Sequence, residues 1–270
     1  MKLKNLPLVC LAILMTSTAV GFADAGTQLK VFPPEISLRG QQARQTIAVQ
    51  LVSDQGITRD VSATVVVKVA DKKVIEVTGQ TIKPKADGET KLLIELGQQK
   101  VEVPVFVKDA TVSRDVSFRL DVMPIFMKSG CNTGSCHGAA RGKDGFHLSL
   151  FGYDPAGDYY KLTRQFIGRR VDLAVPEKSL VLEKATGDVD HTGGQLFTQD
   201  SDEYRTMLRW IEAGAPDDKG DTPEPLGIEL LPSKSVFAGK DQTQKTVVMA
   251  RYSDGSVRDV TKLALFMTNN

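Results

Sequence analysis

Between residues 29 and 109, apolar and polar residues alternate with the period of a β-strand. Thr46-Ile47-Ala48-Val49-Gln50-Leu51 alternates, and Val101, Val103, Val105 and Val107 are spaced by Glu102, Pro104 and Phe106. Val65-Val66-Val67 and Leu92-Leu93-Ile94 are short β-type apolar runs. Asp54-Gln55-Gly56, Ala86-Asp87-Gly88 and Leu96-Gly97 supply turns between them. Short strands at this spacing predict an antiparallel sandwich. Pro104 has no N–H to give a ladder, so the last strand is expected to run along an edge there.

The same pattern returns near the end of the chain. At a constant offset of 199 residues, Pro33 matches Pro232, Gly40 matches Gly239 and Gly56 matches Gly255. Arg59-Asp60-Val61-Ser62 likewise matches Arg258-Asp259-Val260-Thr261. A repeat of this kind is a second copy of one module. The second copy stops at Asn270, roughly halfway through, and half a sandwich cannot bury both faces of its sheet. The expectation is an N-terminal piece of a longer chain. Both copies resemble the bacterial group 2 immunoglobulin-like domain, through Ser253-Asp254-Gly255-Ser256-Val257-Arg258-Asp259-Val260-Thr261 and, with a shifted turn, Ser53-Asp54-Gln55-Gly56. The Arg-Asp pair reads as structural: a turn, a polar tether and the start of a strand.

Strand alternation stops over residues 115–216. Val116 to Met127 reads as a helix starting or bending at Pro124. Asp158 to Phe166 reads as a second helix. Ser201 to Ala213 is the clearest one: Asp200 caps it with Glu203 three residues on, and Tyr204, Met207, Leu208 and Ile211 share a face. Gly214 ends it and Pro216 prevents continuation. Asp217 to Pro225 is an acidic linker.

The first 25 residues are an address. Lys2 and Lys4 precede the short apolar run Leu8 to Met15, and Ala23-Asp24-Ala25 offers a cleavage site. This is the pattern of a secretory signal peptide, cut after Ala25. Cys10 lies inside the apolar run behind Val9, which is no setting for a lipid anchor. No other run is long enough to span a bilayer, which takes about 20 apolar residues. Lys+Arg is 34 against 33 for Asp+Glu, and removing the leader leaves 32 of each. There is thus no basic excess of the kind that marks a nucleic-acid partner. No Ser-His-Asp set, paired catalytic carboxylates or phosphate-cradling loop is present, so no turnover enzyme is expected.

The mature chain keeps two cysteines, in Gly130-Cys131-Asn132-Thr133-Gly134-Ser135-Cys136-His137-Gly138. C-x-x-C-H marks c-type haem attachment, and here the spacing is two residues longer. Two thiols can add to the two haem vinyl groups while His137 offers an imidazole to the iron. Gly134 and Ser135 let the longer loop bulge. Two other readings stay open. A zinc site needs about four ligands, and adjacent Cys136 and His137 chelate one ion poorly. A disulfide between Cys131 and Cys136 is the default for two cysteines in an exported chain. For the sixth iron ligand the candidates are His191, in Gly187-Asp188-Val189-Asp190-His191-Thr192-Gly193-Gly194, and Met207, whose other role is core filling. His147 reads as an edge residue, and an open position completes the set. Ligation by two histidines gives a lower potential than His-Met ligation. Trp210, Leu208 and Phe151 read as core. Arg141 and Lys143 read as propionate partners or a solvated basic loop, and Arg169-Arg170 as surface.

Gly130 to Gly138, the following Ala139-Ala140-Arg141-Gly142-Lys143-Asp144-Gly145-Phe146, and Leu148-Ser149-Leu150-Phe151-Gly152 resemble the cytochrome c-like domain of large secreted planctomycete proteins. Tyr204 through Leu208-Arg209-Trp210-Ile211 to Gly214-Ala215-Pro216 is similar to that family's last cytochrome helix. The resemblance covers about 100 residues. It implies one covalent haem c on Cys131 and Cys136 with His137 as axial ligand, and it names no redox partner.

Together these readings predict a multidomain fold. A signal peptide (1–25) precedes an all-β Ig-like sandwich (26–112), then a small all-α cytochrome c-like domain (113–216). A linker (217–226) leads to an incomplete second Ig-like module (227–270). The expected function is electron transfer in the periplasm or at the cell surface, with Ig-like spacers and an unnamed redox partner. The alternative is a cell-surface adhesive or binding protein in which the Ig-like modules engage an envelope polymer or protein and haem is structural or absent. A third reading is peroxidase-like or gas-binding chemistry at an open iron.

Overall fold

The computed structural model describes residues 26–267. The expected leader lies outside the described residues. The first unit carries β1 (Gln28–Phe32), β2 (Ile36–Arg39), β3 (Gln45–Thr46), β4 (Ala48–Val52), β5 (Thr58–Asp60), β6 (Val66–Val69), β7 (Ile75–Thr78), β8 (Thr81–Pro84), β9 (Gly88–Leu96) and β10 (Gln99–Lys108). They form three small sheets, β1-β4-β5, β2-β10-β9-β6 and β3-β8-β7. All pairings are antiparallel except that of β2 with β10, which the antiparallel expectation missed. The sheets close on one core, in which Ile36, Ile47, Ile82, Leu92, Ile94, Val103 and Val105 are fully buried. The period of two in the sequence is what puts Val103, Val105 and Val107 inward and Glu102, Pro104 and Phe106 outward. Each such side chain is worth about 1.5–3 kcal/mol of burial. Pro104 faces Lys91 of β9, while β2 begins to pair only at Val105. Its missing N–H therefore falls where β10 has one neighbour.

The second unit carries β11 (Pro225–Leu231), β12 (Val247–Tyr252) and β13 (Val257–Asp259), in the order β11-β12-β13. It copies β1-β4-β5 residue for residue. The pair Lys30 opposite Gln50 recurs as Glu229 opposite Met249, at the sequence offset. Gly56 and Gly255 occupy the same left-handed turn position, with φ of 76° and 79°, and the peptide bonds before Pro33 and Pro232 are both cis. The copies differ in burial. Leu29 and Val31 are 5% and 6% exposed, whereas their counterparts Ile228 and Leu230 are 75% and 43% exposed.

Between the β-units run α1 (Met123–Lys128), α2 (Pro155–Thr163), α3 (Leu180–Thr186) and α4 (Asp202–Glu212). A wide turn, Phe118–Val122, leads into α1, and Pro124 sits in its first turn, where no N–H is needed. Asp154 caps α2 by accepting from the Gly157 N–H. Ser201, not Asp200, caps α4 by accepting from Tyr204 N–H, while the Asp200 carboxylate is taken by Thr198. Trp210 is wholly buried, with its ring centroid 5.4 Å from that of Phe118, and its Nε1–H donates to the Pro216 carbonyl at 2.9 Å. Tyr159 closes the same cluster by donating its hydroxyl to the Ala215 carbonyl. Phe151 is 51% exposed and not a core residue.

These helices correct the expected fold class. The chain is mostly β, in four sheets, and the four short helices do not form a distinct all-α cytochrome c-like domain. Helices of six to eleven residues are too short to hold themselves together and depend on tertiary packing. Most of that packing is among residues 116–215, around Phe118, Met207 and Trp210, and the second β-unit adds to its margin. Leu120 shares an apolar cluster with Ala250 and Tyr252, and Leu263 packs on the helical core.

Asp202, at the start of α4, joins all three parts. Its carboxylate takes Arg44 of the first unit, Lys262 of the second (2.7 Å) and Arg205 of its own helix (2.7 Å). Burial pushes this carboxyl up, but the hydrogen bonds from Lys262 and Arg205 and the charge of Arg44 outweigh it and hold the group well below the usual range. A depressed folded pKa contributes stability above the ordinary carboxylate pKa of about 4 and loses it as pH falls below. Asp202→Asn is expected to cost about 1–2 kcal/mol at pH 7. Denaturant titrations at pH 7 and pH 3 check this: the gap between variant and wild type narrows at the lower pH.

Candidate functional site

The C-x4-C-H segment follows α1 directly. Gly130, at φ 73°, turns the chain out of the helix, and Cys131 N–H returns to the Phe126 carbonyl. Cys136 and Gly138 both donate to the Thr133 carbonyl, and His137 N–H donates to the Cys131 carbonyl at 2.9 Å. This backbone web folds the four intervening residues into a compact knot and brings His137 over Cys131. Gly138 is obligatory, since a Cβ there would sit 2.1 Å from the Asn132 carbonyl oxygen.

Cys131, Cys136, His137, His191 and Met207 all line one cavity of about 190 Å³. Its apolar walls include Phe126, Phe146 and Phe197, and Lys143, Arg169, Arg170 and Lys184 also line it. All five residues singled out from the sequence therefore meet. His147 does not line this space, nor does Arg141, which is exposed. Arg170 departs from its expected surface role. It is 6% exposed, stacks over Phe146 at 4.5 Å, and donates to the carbonyls of Lys161, Gln165 and Gly145.

The two imidazoles are held alike. His137 Nδ1 lies 3.0 Å from the Phe146 carbonyl oxygen and His191 Nδ1 lies 3.3 Å from that of Gly194. A carbonyl only accepts, so each bond puts the proton on Nδ1 and leaves Nε2 as a lone-pair donor. The rings are 6.3 Å apart between centroids and within 4° of parallel. Gly193 makes room for the second ring, because a Cβ there would come within 2.8 Å of it. Burial lowers the His137 pKa, opposed by its bond to Phe146, so the neutral ring is favoured. Burial and the neighbouring Cys136 push the Cys131 thiol up to about 12, so it is protonated at neutral pH. Neither cysteine is in a disulfide. The cavity can thus present two imidazoles, two cysteine side chains and an apolar wall to a small or flat ligand.

Sequence reasoning missed α3, which supplies Leu180, Val181, Lys184 and Ala185 to the wall. Its signals were there in outline: Ser179 before the apolar run and Gly187 after it, the latter at φ 81°.

The haem and cytochrome c reading is corrected at this point. Among the described residues no group of three or more His, Cys, Asp or Glu is placed to hold a metal ion. The helical segment is not a cytochrome domain. The cavity falls below the range of about 300–1,000 Å³ usual for cofactor sites. No helix among the described residues is long and apolar enough to cross a membrane.

No protein-family model matches the chain, and no curated protein matches it. Partial likenesses occur among solved structures. Domains 4 and 5 of the S-layer protein SbsC match at 25% identity and a TM-score of 0.26, covering 32% of this chain and 51% of that one. Domains 5–6 of the same protein match at 20% identity and a TM-score of 0.26, covering 33% and 46%. The longer SbsC structure, residues 31–844, matches at 20% identity and a TM-score of 0.27, covering 33% and 14%. This chain therefore spans about half of the length of the first of these structures and less of the others.

Proposed function

We propose that the chain is a cell-surface binding protein whose two repeat-related β-units carry the function, with the Cys–His cavity serving to order the helical segment between them. One observation carries this reading: the repeat-related units pack directly against each other and against the helical segment, with Asp202 ion-paired to both. That is the build of a stiff spacer or docking unit. The cavity is enclosed by the fold's own core residues, Phe126 and Met207 among them, so its lining serves stability as well. The ligand class that suits exposed β-units is an envelope polymer or protein.

The test is co-sedimentation of the mature chain with isolated bacterial cell envelope, together with voltammetry of protein made alongside a cytochrome c maturation system. Expected are envelope binding that survives a Cys131→Ser, Cys136→Ser double substitution, and no reversible reduction wave. Loss of binding in the double variant, absence of binding in the wild type, or a reversible wave from a covalent haem would each overturn the proposal.

A further inference from the structure

The contact between the two β-units repeats itself. Asp60 accepts from the backbone N–H of Ser62 through Oδ1 (2.8 Å) and from that of Lys245, in the other unit, through Oδ2 (2.6 Å). Asp259 accepts from Thr261 N–H through Oδ1 (2.8 Å) and from Thr46 N–H, back in the first unit, through Oδ2 (2.5 Å). Residue 46 is the repeat counterpart of residue 245, and residue 60 of residue 259. The two bonds are therefore one bond, made twice in opposite directions.

Side chains obey the same rule. Gln45 Nε2 lies 3.4 Å from Met249 Sδ, and Gln50 Nε2 donates to Gln244 Oε1 at 3.1 Å. Positions 45 and 244 are counterparts, and so are 50 and 249. Residue i of one unit meets residue j of the other, and j meets i, which is the signature of a two-fold, self-complementary interface. Gln45 and Gln50 are each 2% exposed. Buried amides need partners, and much of what these two bond to lies across the boundary. The symmetry is partial: Thr58 bonds Val236 through both its N–H and its hydroxyl, whereas Ser37, the counterpart of Val236, is taken up in β2 beside β10, and the bond from Gln50 to Ser235 has no amide to repeat it at Met249.

We infer that the Asp-Val-Ser/Thr motif is a pairing key: it marks a face of this module that binds another module of the same kind. One carboxylate oxygen shapes the local turn and the other reads the partner's strand. In this chain the partner is the chain's own second copy. The sequence reading of a turn and a tether within one copy accounts for Oδ1 alone. This inference holds whether or not the chain binds an envelope.

Amide hydrogen exchange on the full chain tests it, with Asp60→Asn and Asp259→Asn. Asparagine keeps an oxygen for the local turn but has an NH₂ in place of the second oxygen. Under the proposal, Thr46 N–H exchanges roughly 10-fold or more faster in Asp259→Asn, and Lys245 N–H does so in Asp60→Asn, as befits loss of a charge-assisted bond. Because the two bonds close one interface, each substitution also speeds exchange at the other's site. Asp259→Ala, which removes both oxygens, gives the same gain at Thr46. Unchanged exchange at Thr46 and Lys245 in the Ala and Asn variants, with losses confined to Ser62 and Thr261, would reduce the motif to a turn and overturn the inference.

Discussion

Trp210→Ala is expected to cost about 3–5 kcal/mol, the range for emptying an aromatic site in a close-packed core. The indole is wholly buried between Phe118 and Tyr159, with centroids 5.4 and 6.4 Å away. Its loss empties the centre of the cluster that joins the wide turn, α2 and α4. It also leaves the Pro216 carbonyl without the Nε1–H that now satisfies it. Because Met207, three residues away on α4, lines the cavity, the substitution should loosen the cavity wall too. Urea titration followed by far-UV circular dichroism measures the cost. Trp210→Phe keeps most of the packing and should lose only about 1–2 kcal/mol, the share of the hydrogen bond and a small void. If both variants lose less than 1 kcal/mol, the helical segment does not have this core.

The second large effect is alkaline. In the unfolded chain the Cys131 thiol ionises near pH 8.5, whereas in the fold burial and Cys136 push it up to about 12. A raised folded pKa contributes stability in full below the unfolded value. Between about pH 9 and 12 the unfolded chain gives up its proton while the folded one keeps it, so stability falls as pH rises. The loss should reach a few kcal/mol at the top of that window, reduced by the thiol's partial exposure. Cys131→Ser carries no thiol to titrate and should show a flatter profile than wild type between pH 8 and 11. Parallel profiles for the two proteins would mean that this thiol is not held in an apolar setting.

Much of the β-structure was legible because alternation and burial share one cause. Val103, Val105 and Val107 point inward for the same reason that they are valines. The repeat was legible in Pro33, Gly56 and Asp60, since each answers a local backbone need and recurs wherever that need recurs. The convergence of Cys131, Cys136, His137, His191 and Met207 was legible as chemistry, and the cavity brings them together. What misled was the step from motif to domain. C-x4-C-H states which side chains gather, not what scaffold gathers them, and here the scaffold is short helices leaning on β-units. Arg170 reads as surface from the sequence because its role is to bond the carbonyls of Lys161, Gln165 and Gly145, and no local pattern advertises such partners. The second oxygen of Asp60 was invisible for a like reason: its partner is 185 residues away.

The bared side of β11 decides how this polypeptide will behave in a test tube. Leu226, Ile228 and Leu230 form a greasy stripe along one strand, open to water at 70%, 75% and 43%. Such a stripe invites sticking, so the soluble yield of the chain lacking residues 1–25 should fall with concentration and recover with mild detergent or with Ile228→Lys.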